Sequence, residues 1–409
     1  MKNKTNIFYI LLLFVLFSCG EDRTEEFFEQ TKENQWVYNT MKSSYLWSEQ
    51  IKPQERSKFF AKPDAFFKSL LYSEDKASFF TDSVYSGDYG LTCTLMRDPI
   101  AVQPSKVYAL VLFVEPNSPA ALAGIERGMW ISAVGDKSLS ASSTALLESG
   151  EETKLAVEYI EYDDVENKKF WVQSDSVTLG ASALYAVSDI VVDTVYPVRD
   201  NNVGYILCNG FNDNDFIKRI NTVAEEFISS NITDVVIDLR YNNNGSLANV
   251  AYLASMLVPS TLANTPFATL KKGNEDVDTV YNYSHTEFTL CDKRVFFITG
   301  ADTKGVSELL ISSVNASRDA YDVMVVGDKT AGSNVMVENI VSPYGFSINP
   351  ATSYAYSSDG NLISADGIKP DYELSETKQT EQIYPLGSSQ EYLLYNVMYL
   401  ISNGSLPQN

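Results

Sequence analysis

The chain has 409 residues, 44% hydrophobic and 21% charged, which allows about two to four domains and excludes wholesale disorder. Its 31 basic and 53 acidic side chains leave a formal net charge of −22, which repels phosphate backbones, so no nucleic-acid partner is expected. The single histidine, His285, excludes a His-rich metal site and restricts any Ser-His or Cys-His pair to itself, while four cysteines are too few for a disulfide framework at this length.

Lys2 and Lys4 precede an apolar run from Ile7 to Phe17, followed by Ser18, Cys19 and Gly20. Such a run is too short to span a bilayer and describes a secretory signal peptide. The ending Leu16-Phe17-Ser18-Cys19 resembles a bacterial lipobox. That resemblance implies removal of residues 1–18, a lipid on Cys19 and a membrane partner through that anchor. The expected location is the bacterial cell envelope, on the periplasmic or outer face of the outer membrane. Of Cys93, Cys208 and Cys291, which remain, at least one stays unpaired, and Cys208 reads as a small buried hydrophobe in a strand.

From Glu25 to about Asp82 apolar and aromatic residues recur at helical spacing, and Pro63-Asp64 marks a helix start, so residues 19–86 read as a helical domain. Residues 87–180 are β-rich. Val107–Val114 is a strand, Ser118–Gly124 a short glycine-capped helix, and Gly128–Gly135 a strand entering a turn. Leu155–Tyr162 and Lys169–Val172 supply further strand. From residue 187 to 409 apolar strands alternate with helices: Val203–Cys208, Phe216–Ser230, Asp234–Leu239, Leu247–Leu257, Arg294–Ile298, Ser307–Ala316, Asp322–Gly327. That alternation predicts a multidomain α/β chain whose core is a largely parallel sheet covered on both faces. Sites in such sheets form at the carboxyl ends of strands, here the loops 240–246 and 299–306. No P-loop or dinucleotide fingerprint is present, and no metal or cofactor is expected.

The order of these segments, with Ser118-Pro119-Ala120-Ala121-Leu122-Ala123-Gly124, Asp238-Leu239-Arg240 and Val325-Val326-Gly327-Asp328-Lys329-Thr330, resembles the tail-specific, or C-terminal processing, serine peptidases. The resemblance implies that residues 87–180 form a PDZ domain and that the core is crotonase-like. It also implies a Ser-Lys dyad, which needs no histidine because burial can make a lysine a base.

The family's nucleophile lies three residues before a glutamate, and in Thr303-Lys304-Gly305-Val306-Ser307-Glu308 that position is Gly305. The family's lysine follows the stretch that ends here at Gly332, and the next residue is Ser333. Neither can do the chemistry of its position. The oxyanion turn corresponds to Tyr241-Asn242-Asn243-Asn244-Gly245, whose asparagines tolerate left-handed backbone but carry side chains at Asn243 and Asn244 that enter substrate space. The resulting expectation is a proteolytically inactive relative that binds a peptide or protein C-terminus, with Tyr89-Gly90-Leu91 as the carboxylate loop. The alternative is an active serine endopeptidase that uses a displaced nucleophile, Ser307, with Lys304 or Lys329. Ser307 also reads as an ordinary helix-start serine, and His285 carries no role.

Overall fold

The computed structural model describes residues 24–82, 88–163, 165–174, 176–273, 278–319, 322–379 and 382–407. The expected signal peptide and Cys19 lie outside the described residues. Among the latter no helix is long and apolar enough to cross a membrane. The chain forms two compact units, the first made of residues up to Asp82 together with Asn339–Pro350, the second of everything else.

In the first unit, helices Thr24–Ser44 and Pro63–Leu70 bury Val37, Met41, Tyr45, Phe66, Phe67 and Leu70. Pro63 occupies the first helical turn, where its missing N–H costs no hydrogen bond. Strand Phe79–Thr81 pairs antiparallel with Ser347–Asn349, which in turn pairs with Ile340–Val341. This small sheet departs from the purely helical expectation. Two of its three strands come from a distant stretch of chain that local periodicity cannot reveal.

In the second unit, residues 91–179 form an antiparallel sheet. Its main path runs Leu91–Arg97, Val107–Val114, Trp130–Val134, Thr153–Asp163, Lys168–Gln173. Leu91–Arg97 is one edge strand, and no other described strand pairs on its far side. The turn at Ser118 is fixed by its hydroxyl, which accepts from the Ala121 amide at 3.2 Å.

The core sheet runs Tyr372–Glu373, Val323–Gly327, Arg294–Thr299, Asp234–Asp238, Asn201–Cys208, Ile190–Val198. All neighbours are parallel except the last pair. Alternation sorts the side chains between two faces. Val235, Ile237 and Phe297 pack with helices Phe216–Ser229, Leu247–Leu257 and Val306–Ala316. Val236, Phe296 and Ile298 pack with helix Tyr392–Asn403. The largely parallel, doubly covered sheet is as the sequence predicts. A second antiparallel sheet, Thr279–Asn282, Pro266–Lys271, Ala351–Tyr356, Val335–Val337, and the C-terminal helix go beyond that reading.

An ion cluster is buried at the end of strand Asp234–Asp238. Arg240, 1% exposed, meets Asp238 at 2.7 Å, Glu391 at 2.8 Å and Glu376 at 3.0 Å. Arg127, from the antiparallel module, meets the same Glu376 at 2.6 Å and Glu391 at 3.3 Å. Glu391 also accepts from the Leu394 amide at 3.0 Å, which caps the C-terminal helix. Burial works against its ionisation, but Arg240 and Arg127 hold its carboxyl at about 2. A lowered carboxyl stabilises the fold above its ordinary 4.5 and loses that contribution as pH falls towards 2. Glu391→Gln is expected to cost about 3 kcal/mol at neutral pH by leaving guanidinium charge uncompensated. Urea unfolding should show the gap to the parent closing as the solution is acidified through that window.

Candidate functional site

Helix Val306–Ala316 starts at Gly305, whose φ of +61° is one that L side chains rarely adopt. Glu308, 1% exposed, faces back towards this start. One of its oxygens accepts from the Gly305 amide at 2.9 Å. The other accepts from the Thr330 hydroxyl at 2.5 Å and the Gly332 amide at 2.8 Å. Burial pushes this carboxyl up, and the donors, with Lys304, oppose the shift. One carboxylate therefore binds the Gly305 loop to the residue before Ser333. Two backbone bonds complete the junction, Ala331 N–H to Thr303 O at 3.0 Å and Lys304 N–H to Asn242 O at 3.1 Å. The three segments named from sequence thus meet.

Within that junction the side chains are quiet. The Ser333 hydroxyl donates to Val335 O at 2.8 Å. Ser307 is fully buried and its hydroxyl has no hydrogen-bond partner. Lys304 is half-buried, Lys329 exposed, and His285 exposed. A Cβ added at Gly305 would meet only the Asn243 carbonyl oxygen, at 3.9 Å, so the space for a side chain is open.

The turn after Arg240 does not use left-handed asparagines. None of Asn242, Asn243 and Asn244 has a positive φ; Gly245 supplies it, at +141°, and a Cβ there would stand 2.4 Å from the Phe211 Cβ. Asn242 is buried and donates to Cys208 O at 3.1 Å. Asn243 and Asn244 are exposed and joined to each other at 2.9 Å, and Asn212 donates to Asn244.

These two asparagines line a groove of about 620 Å³. Tyr89, Gly90, Leu91 and Thr92 at the edge strand line the same groove, as do Leu147 and Glu148. Gly305, Ser307 and Ser333 are not among its lining residues. Tyr89 contributes backbone, because its ring packs into the module core and its hydroxyl bonds Ser149 at 3.1 Å. The groove wall also carries Asp88, Glu115, Asp189 and Asp213, four acids that sequence reasoning missed. The available signal was their position: Asp88 adjoins the Gly90 turn, and Glu115 and Asp189 flank strand ends.

Residues 202–374 match the model of peptidase family S41, and residues 32–87 match that of the peptidase S41 N-terminal domain. The chain belongs to peptidase family S41. A candidate S41 protease from Bacteroides fragilis superposes with a TM-score of 0.76 at 24% identity, covering 90% of this chain and 97% of that one. The photosystem II D1 C-terminal processing protease gives 0.53 at 15% identity, covering 92% and 98%. Mature CPAF gives 0.53 at 13% identity over the same shares. At these identities the likeness is one of fold. No curated protein matches the sequence.

Burial pushes the Glu115 carboxyl up to about 7, with Asp88 and Asp189 adding to the shift against the Asn209 amide. A raised carboxyl favours the fold fully below its ordinary 4.5 and loses that contribution as pH rises to about 7. Glu115→Gln stays neutral throughout. It is expected to melt roughly 2–5 °C above the parent near pH 8 and level with it in mild acid, as followed by circular dichroism.

Proposed function

We propose that this family S41 chain is an exported lipoprotein, anchored through Cys19, that binds extended peptide segments without cleaving them. The observation that carries this reading is one groove lined both by the start of the edge strand Leu91–Arg97 and by the Asn243–Asn244 turn. An unpaired edge can accept an added strand through backbone hydrogen bonds, and the neighbouring pocket then selects side chains. This is the binding mode of the PDZ domain that residues 87–180 resemble.

Acyl transfer needs a nucleophile in reach of a base. Gly305 has no side chain, Ser333 cannot take a proton near neutrality, and the Ser307 hydroxyl is buried without a partner. That last fact weighs against the displaced-nucleophile alternative. Anchoring rests on the lipobox-like sequence alone.

A fluorophosphonate probe on the purified protein is expected to leave no label. Gly305→Ser combined with Ser333→Lys is expected to gain label, although the positive φ at Gly305, with ψ at −111°, costs the serine roughly 1–3 kcal/mol. Labelling of the parent that disappears in Ser307→Ala would reverse the reading in favour of the peptidase.

A further inference from the structure

We infer that the groove selects a peptide presenting a cationic side chain, and that it does not capture a free C-terminal carboxylate. The inference rests on the peptide-binding reading above and narrows its ligand. Three features of the groove lead to it.

The first is that the loop suited to a carboxylate already holds one. The Gly90 amide donates to the Asp88 carboxylate at 2.8 Å, and the Tyr185 hydroxyl donates to the same oxygen. The Asp88 backbone is pinned in turn, its carbonyl accepting from the Ala183 amide at 3.2 Å. The loop carbonyls are engaged too, Gly90 O by the Glu115 amide at 2.8 Å and Tyr89 O by the Ala120 amide at 2.9 Å. A peptide carboxylate would have to displace Asp88 and then sit beside it. Two like charges in a partly desolvated site repel strongly.

The second is the charge of the wall. Asp88, Glu115, Glu148, Asp189 and Asp213 line the groove, and no lysine, arginine or histidine does. Asp189 is 2% exposed, so solvent screens its charge poorly.

The third is unmet hydrogen bonding. Glu115 Oε2 and Asn209 Oδ1 are buried on this wall with no donor. Buried polar atoms in folded proteins almost always have partners, so two unmet acceptors at one site call for a ligand that donates. An ammonium or guanidinium is donor only. The stacked rings of Phe113 and Tyr241, 5.2 Å apart, lie on the same groove and offer an apolar surface to the stem of such a side chain.

The test uses the purified full chain and fluorescein-labelled octapeptides of one common sequence, read by fluorescence anisotropy. The central residue is lysine, glutamine or glutamate, and each peptide is made as C-terminal amide and as free acid. The lysine amide is expected to bind about tenfold tighter than the glutamate amide, as one charge-assisted hydrogen bond would supply. The free acid is expected to gain nothing over the amide. Glu115→Gln should reduce the preference for lysine over glutamine. Asp88→Ala frees the Gly90 amide, so free-acid peptides should gain about fivefold in affinity, a smaller step than one full charged hydrogen bond.

Several results overturn the inference while leaving peptide binding intact: lysine and glutamate peptides binding alike, free acids binding tighter than amides in the parent, or a lysine preference unchanged in both variants, which assigns it to the net charge of the whole chain. If no peptide of the series binds, the peptide-binding reading falls and this inference falls with it.

Discussion

A guanidinium sealed from water has to be surrounded by acceptors, and Arg240 sets that requirement at the centre of the second unit. Its acceptors come from far apart in the chain: Asp238 beside it, then Glu376 and Glu391. Arg127 draws on the same two glutamates from the antiparallel module. One cluster thus ties a strand end, the start of the C-terminal helix and the module together. Tyr241 is part of the knot, its hydroxyl donating to Glu376 at 2.5 Å, and the asparagine turn follows directly. Buried pairs of this kind add little net stability over apolar packing. Their value lies in direction, since charged partners tolerate one arrangement where apolar ones tolerate many, and the turn that begins at Tyr241 inherits that definition.

The region around Gly305 is organised in the same manner. Glu308 holds the helix start, the Thr330 hydroxyl and the Gly332 amide at once, and none of these bonds involves a nucleophile or a base. The Glu308 bonds therefore hold the junction without drawing on a side chain at 305 or 333. Fold and chemistry are separable on this scaffold, and membership of family S41 speaks for the first.

Much of the fold was legible because it is written in local periodicity. Val107–Val114 and Leu247–Leu257 follow the boundaries that their patterns dictate, and the parallel core follows from continuous apolar strands between helices. What stayed hidden is long-range. Nothing near Phe79–Thr81 announces a partner at Ser347–Asn349, and nothing near Arg127 announces Glu376. At the site, the sequence pointed to the segments that meet at Glu308. It left open two details set by packing: Gly245 takes the positive φ of the turn, and the Gly90 amide donates to the Asp88 carboxylate. Position hinted at single acids of the wall, but Asp88, Glu115, Asp189 and Asp213 become neighbours only in the folded chain.

The excursion Asn339–Pro350 bears on the order in which the protein is made. The first unit lacks two of its three sheet strands until Ser347–Asn349 leaves the ribosome, because Phe79–Thr81 has to wait for a partner about 270 residues away. Contacts that close so long a loop form late. The N-terminal helices therefore emerge first but finish among the last, and most of the second unit is synthesised before the first can complete its sheet.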